Sequence, residues 1–340
     1  MLTKAHFVLS KSKLMDKYNE IKKYGDVVSY SYKTNSVIGK VLEENTDCMF
    51  SVHTIENLVQ KDMKRVWFFA QAWTNKELKF LFEKNVENFV VDNQNDLKVL
   101  LDYIEKHNEK INLLLRMRIK EHTIHTGKHF VFGFFSAKIN DLLPELRNNS
   151  NIEKLGIHFH RKTQNVSEWS LKQELSESIK HWDKIDLVNI GGGIPAEYKN
   201  FRQEVLKNIF AKISDLYKWL NNKKIKMIIE PGRYLAASPI KLEAEITNIY
   251  RNNIVINCSV YNSAMDTFVA NIRLLVEGEL KDGIPYTIKG CTPDSMDIFR
   301  YKVFLKEKKV GDKLVFLNAG AYNFTTNFCN LPRLKTIVVD

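Results

Sequence analysis

Val27-Val28-Ser29-Tyr30-Ser31-Tyr32-Lys33-Thr34-Asn35 is the stretch from which the rest of the chain can be read. Its β-branched and aromatic residues predict a strand over Val27–Lys33, and the Thr-Asn-Ser that follows predicts a turn. A lysine closing such a strand has two readings. It can reach solvent from the strand end on its flexible stem. Alternatively, burial disfavours its charged form by up to roughly 3–5 pKa units and leaves a neutral amine ready to condense with a carbonyl cofactor.

Seven further strand-like runs follow: Asp47–Val52, Arg65–Ala70, Asn88–Asp92, Ile111–Ile119, Lys154–His160, Asp186–Ile190 and Lys226–Glu230. Between them lie amphipathic stretches at Asn75–Lys84, Asn95–Lys106, Ser170–Trp182 and Phe201–Leu220. The last repeats Val205, Ile209, Ile213 and Tyr217 on one helical face. Eight strands, each followed by a helical or connecting segment, predict an α/β fold built as a (β/α)8 TIM barrel, with a doubly wound sheet as the competitor. The eighth unit is the weakest, because no clear helix precedes Leu242.

After Ser238-Pro239 the character changes. Leu242–Tyr250, Asn253–Val260, Val269–Leu274, Thr287–Lys289, Arg300–Leu305, Lys313–Leu317 and Thr336–Val339 are short, β-rich and separated by turns, with no helix pattern between them. They predict a small all-β domain. The expected division is 1–238 and 239–340, with the boundary near residues 236–242.

The 340 residues are 44% apolar and 27% charged, an ordinary globular balance with room for both domains. The net charge of +11 suits a nucleic-acid surface, anionic small molecules or only a lysine-rich proteome. No Cys/His zinc-finger spacing, RNP-type aromatic motif or dense basic tail supports a nucleic-acid partner. Cys48, Cys258, Cys291 and Cys329 are scattered, as reduced thiols would be. Lysines interrupt the N-terminus, and no apolar run approaches the roughly 18 residues that span a bilayer. A soluble, cytoplasmic protein with no membrane partner is expected.

In a barrel the chemistry gathers at the strand ends. Those ends hold Lys33, Arg116, His158 and His160, Gly191-Gly192-Gly193, and Glu230-Pro231-Gly232-Arg233-Tyr234. Each has a plain reading and a functional one. The glycines make a tight turn or an anion nest of bare N–H groups. The His-x-His pair could hold a metal, but no third ligand has suitable spacing, so no metal is expected. His122, His125 and His129 read as a solvated loop. Glu230 could merely pair with Arg233. Together the groups meet the needs of pyridoxal 5′-phosphate: a lysine for the aldehyde, donors and a cation for the phosphate, an acid for the pyridine nitrogen.

Tyr30–Asn35, Gly156–His160, Gly191–Pro195 and Glu230–Tyr234 resemble the motifs of the fold-type III pyridoxal-phosphate decarboxylases, the ornithine/diaminopimelate/arginine decarboxylase family, whose barrel is alanine-racemase-like. The resemblance runs over nearly the whole chain, in the family's order. It implies that Lys33 carries the cofactor as a Schiff base, His160 stacks on its ring and Glu230 binds the pyridine nitrogen. Gly191, Gly192, Gly193 and Arg233 would hold the phosphate, completed by Tyr322, and Thr163 stands where the family often has a phosphate-binding serine. Glu230 argues against the racemases, which place an arginine there.

The resemblance also implies a head-to-tail homodimer, because the β domain of this family lends residues to a partner's site. Gly290-Cys291-Thr292-Pro293-Asp294-Ser295-Met296-Asp297 looks like the family's Gly-Pro-Thr-Cys-Asp-Gly-Leu-Asp segment. Asp294 matches the acid that grips the far amine of a basic substrate, and Tyr261 lies with the substrate-binding residues. This points to ornithine or lysine and to polyamine biosynthesis. Some positions depart. Pro293 replaces the cysteine that manages protonation, leaving Cys291 or Cys329 as displaced candidates. By the resemblance a second substrate-binding aspartate falls on Ala270, with Asp266 close by, and Phe50 replaces an acidic residue after the second strand. By the resemblance the chain is short, and it is expected to lack the family's N-terminal extension. Diaminopimelate or a conjugated diamino acid is therefore the alternative substrate, with a racemase, a non-catalytic pyridoxal-phosphate carrier and a basic binding protein as rivals.

Overall fold

The computed structural model describes residues 4–69, 71–118, 132–201 and 203–340. The chain enters through β1 (His6–Ser10) and α1 (Lys11–Ile21). It then runs β2 (Val27–Ser31), α2 (Ser36–Asn45), β3 (Met49–Val52), β4 (Val66–Phe69), α3 (Asn75–Glu83), β5 (Asn88–Val91), α4 (Gln94–His107) and β6 (Ile111–Arg116). The barrel finishes with α5 (Ser136–Arg147), β7 (Ile152–His158), α6 (Leu171–Ser178), β8 (Leu187–Asn189), α7 (Leu206–Asn222), β9 (Lys226–Ile229) and the single turn α8 (Arg233–Ala236). Strands β2 to β9 close in sequence order into a parallel barrel, so the doubly wound alternative falls away.

The period-2 alternation of the strands sorts their side chains into two shells. Phe68, Phe89, Leu113, Val188 and Met227 face outward into the helix layer and belong to the main core. Trp67, Phe69, Val90, Leu114, Leu187 and Ile228 form a separate apolar cluster, flanked by Val27 and Met49, that fills the lumen. A methyl group on Gly156 would lie 2.1 Å from the Leu187 carbonyl oxygen and 2.7 Å from Leu114, so the lumen has no room for one. Above this apolar plug the inward positions turn polar at Ser51, Asn189 and the strand-end residues.

Two expectations about the barrel are corrected. Lys33 is not in the strand: pairing of β2 with β3 ends at Ser31 and Ser51, and Tyr32–Thr34 form a 3₁₀ turn. The turn is needed because Asn35, whose Oδ1 accepts from Val37 N–H at 3.0 Å, already caps α2. His160 likewise lies beyond its strand, which ends at His158. His122, His125 and His129 lie outside the described residues.

The second unit is built from β10 (Ile240–Tyr250), β11 (Asn253–Ile256), α9 (Val260–Ser263), α10 (Asp266–Val269), β12 (Leu275–Val276), β13 (Ile284–Lys289), β14 (Ile298–Leu305), β15 (Lys313–Leu317) and β16 (Thr336–Val339). Its pairing is mostly antiparallel, and β1 joins it between β10 and β16. The expected strand Val269–Leu274 is absent, and two one-turn helices stand in a region read as helix-free. Ser259 and Asn262 form a capping box that starts the first of them, and a local cap outweighs β-favouring composition over so short a run.

Candidate active site

Glu230 follows the last barrel strand and is buried at the centre of the polar layer. Its Oε1 accepts from Ser51 Oγ at 2.7 Å and from Asn189 Nδ2 at 2.9 Å, and its Oε2 faces His158 Nε2 at 3.2 Å. Since the Ser51 hydroxyl donates to Glu230, Ser29 Oγ, 2.8 Å away, must donate to Ser51. Burial alone would raise the pKa of Glu230, but His158 and the hydrogen bonds from Ser51 and Asn189 hold it well below the usual carboxylate range. Burial keeps His158 neutral against the pull of Glu230. Its proton therefore sits on Nε2, facing the carboxylate, and the buried Nδ1, which has no partner among the described residues, is the bare nitrogen.

Lys33 stands across the mouth and is exposed. Burial of its nitrogen lowers its pKa, Glu230 opposes this and Arg116 adds to it. Arg116 ends β6 with its Nε buried and without a partner among the described residues. Its guanidinium lies 5.4 Å from the Phe132 ring. His160 Nδ1 accepts from the Gly192 N–H at 3.3 Å, and burial, then Arg116, pushes its pKa down to about 4. His160 is thus a neutral ring at physiological pH.

The loop after β8 has φ of +65° at Gly191 and +92° at Gly193, backbone that favours glycine. A methyl group on either would lie 2.4 Å from a carbonyl oxygen of the His160 segment, Phe159 for Gly191 and Lys162 for Gly193. Beside this loop, Arg233 is buried and clamped by Asp266 of α10, with Tyr198 OH at 3.3 Å and Thr163 Oγ1 at 3.4 Å. The Tyr322 ring lies 4.9 Å from the same guanidinium. The Tyr322 N–H donates to the Thr34 carbonyl at 3.0 Å, and Asn35 Nδ2 donates to the Gly320 carbonyl at 2.8 Å. The β domain is thereby fastened to the turn that carries Lys33.

A second group gathers elsewhere on the β domain. Tyr261 OH donates to Asp294 Oδ2 at 3.2 Å and its ring stacks on Phe328 at 3.9 Å. Cys291 is exposed nearby, and burial of its sulfur followed by Asp297 raises its pKa, so the thiol stays protonated. No direct contact among the described residues joins Tyr261, Asp294 or Cys291 to Lys33 or Glu230.

The model of the pyridoxal-dependent decarboxylases, pyridoxal binding domain, matches residues 29–237. The chain belongs to this family. A probable ornithine decarboxylase of Dictyostelium discoideum is 26% identical, covering 89% of this chain and 72% of its own length. A diaminopimelate decarboxylase of Bacillus methanolicus is 24% identical over 81% of this chain and 71% of its own. The crystal structure of a lysine/ornithine decarboxylase complexed with putrescine from Vibrio vulnificus superposes with a TM-score of 0.78 at 19% identity, covering 99% and 94% of the two chains, a likeness of fold alone.

The decarboxylase takes pyridoxal 5′-phosphate as its cofactor, and the donor set of the barrel mouth fits it. A lysine of lowered pKa can meet the aldehyde, an ionised buried carboxylate can face the pyridine nitrogen, and a left-handed glycine loop can meet the phosphate. When bound, the cofactor supplies an electron sink for the substrate's α-carbon.

Sequence reading missed several members of this layer. Ser51, Asn189 and His53 all point inward by strand alternation, so period counting inward from Glu230 and Lys33 would have found them. Phe50 points outward, its ring in the core with Arg65 above it, so that position cannot serve the site. The clamp of Asp266 on Arg233 crosses between the two units and left no local signal. Among the described residues no cluster of three metal-ligating side chains occurs.

Proposed function

We propose that this decarboxylase removes carbon dioxide from a basic diamino acid such as ornithine or lysine, yielding the diamine used in polyamine biosynthesis. Lys33 binds the cofactor aldehyde, His160 faces its ring, and Glu230 faces the pyridine nitrogen. Gly191, Gly192, Gly193, Thr163, Arg233 and Tyr322 surround its phosphate, with Arg116 adding positive charge to the mouth. The observation that carries the reading is the ionised Glu230, held by donors from three strands. An ionised acid there keeps the pyridine nitrogen protonated, and stabilising the developing carbanion is the largest contribution the protein can make.

Asp294, oriented by Tyr261, supports a substrate with a cationic far end. Because this pair and Cys291 lie apart from Lys33 within one chain, they serve the mouth of a second copy in a homodimer with shared sites. There Cys291, a protonated thiol, returns a proton to the substrate carbon. The similarity to a diaminopimelate decarboxylase supports that substrate, or a conjugated diamino acid, as the second reading.

The test is a panel of ornithine, lysine, diaminopimelate and conjugated diamino acids given to the cofactor-loaded protein. Carbon dioxide and the matching amine should appear in equal amounts from one or two of them. Inversion at the α-carbon without gas would make the protein a racemase. Cofactor binding with no turnover of any of them would make it a carrier.

A further inference from the structure

His53 directly follows the last residue of β3 and continues the inward alternation from Ser51. Its Nε2 lies 3.5 Å from Lys33 Nζ. Its ring stacks on Phe69 with centroids 5.0 Å apart and planes 18° apart, and Phe69 in turn meets His158 edge-on at 5.0 Å. The stack leaves the imidazole little freedom except to face the lysine. Its other nitrogen, Nδ1, is buried without a partner among the described residues, a state that costs stability. An apolar ring would fill the same space without that cost.

We propose that His53 is the proton carrier for Lys33 when this side chain joins and releases the cofactor aldehyde. This deepens the proposed function and rests on Lys33 being the attachment point. In the step, the lone pair of the neutral Lys33 amine forms the new C–N bond. The nitrogen gives up both hydrogens, and the aldehyde oxygen leaves with them as water while C=N replaces C=O. His53 Nε2 takes a proton from the nitrogen and returns it to the departing oxygen, so no proton is gained or lost overall.

The electrostatics favour this timing. Burial, then the charge on Lys33, lowers the His53 pKa to about 3, with Glu230 opposing and His158 and Arg116 adding to the shift. A neutral imidazole is ready to accept, and with Lys33 in its neutral, attacking form the largest charge that disfavours protonation of His53 is absent. It then becomes a better base as the nitrogen becomes more acidic.

The experiment follows capture of pyridoxal 5′-phosphate by the full chain stripped of cofactor, in stopped flow by its absorbance change and at equilibrium by titration. His53→Phe keeps the ring and its stack, and His53→Gln keeps a hydrogen-bonding group without proton transfer. Since a proton carrier speeds capture and release alike, both variants should capture about 100-fold more slowly with affinity unchanged within about threefold. Capture at the wild-type rate in either folded variant would overturn the proposal. So would a loss of affinity matching the loss of rate, which would make His53 a packing residue only. Failure of the wild-type chain to capture the cofactor at all would instead sink the assignment of Lys33.

Discussion

At the scale of single residues, the site turns on one carboxylate kept ionised where burial opposes it. Among the described residues no arginine or lysine forms an ion pair with Glu230; it is held by hydrogen bonds from Ser51, Asn189 and His158. Ser51→Ala should therefore act twice. It removes a buried donor, lowering stability to urea by about 1–3 kcal/mol, and it raises the Glu230 pKa. Glu230→Gln, which cannot ionise, should lower the rate of carbon dioxide release by about 100-fold while cofactor absorbance remains. A Glu230→Gln enzyme with normal turnover would show that the carboxylate has no part in the chemistry.

At the scale of elements, the left-handed loop after β8 and the segment around Asp294 are the two devices that aim groups at ligands. Gly191→Ala would have to place a methyl group 2.4 Å from the Phe159 carbonyl oxygen at a φ of +65°. The strain, about 1–3 kcal/mol, should appear chiefly as weaker cofactor binding by titration, because the loop can shift without breaking the barrel. In the other segment, Asp297 is buried and accepts from Val260 N–H at 2.8 Å and from Thr292 Oγ1 at 2.7 Å. Asp297→Ala should loosen Asp294 and raise KM for the diamino acid more than it lowers kcat. A variant with unchanged KM would detach Asp294 from substrate binding.

The elements also show what could be read in advance. All eight barrel strands were legible, because each is an apolar run bounded by turn residues and followed by a helical or connecting segment. Their ends were misjudged by one to three residues, since a strand stops where its neighbour stops pairing, and that is a property of two segments. So Lys33 and His160 moved into turns. The strand-end residues Lys33, Glu230 and the glycines were visible as motifs, whereas Ser51 and His53 were not, and Asp266 was noticed only beside a substrate-binding position and not as the clamp on Arg233. Their roles come from pairing across the lumen and between the two units, which local sequence does not encode. The membership of β1 in the C-terminal sheet was hidden for the same reason.

For the whole molecule, the barrel mouth collects three histidines that stay neutral because they are buried. His53 is pushed down to about 3 and His160 to about 4, and His158 is lowered as well. In the unfolded chain each would take up a proton near the ordinary imidazole value of 6.5. The unfolded state thus binds more protons, and stability must fall as pH drops below that value. Each histidine contributes up to about 1.4 kcal/mol per pH unit, and Glu230 adds to the loss below the ordinary carboxylate range. Urea midpoints of the cofactor-stripped protein should fall steeply from pH 6.5 to pH 5; a flat profile would mean that the histidines are not buried as described.

The attachment of the cofactor to Lys33 underlies the functional account. Reduction of the cofactor-loaded protein with borohydride, followed by peptide mapping, measures it directly. The account predicts a single phosphopyridoxyl mass on the peptide containing Lys33, lost in Lys33→Ala. An adduct on another lysine, or none on a protein that retains the cofactor, would contradict it.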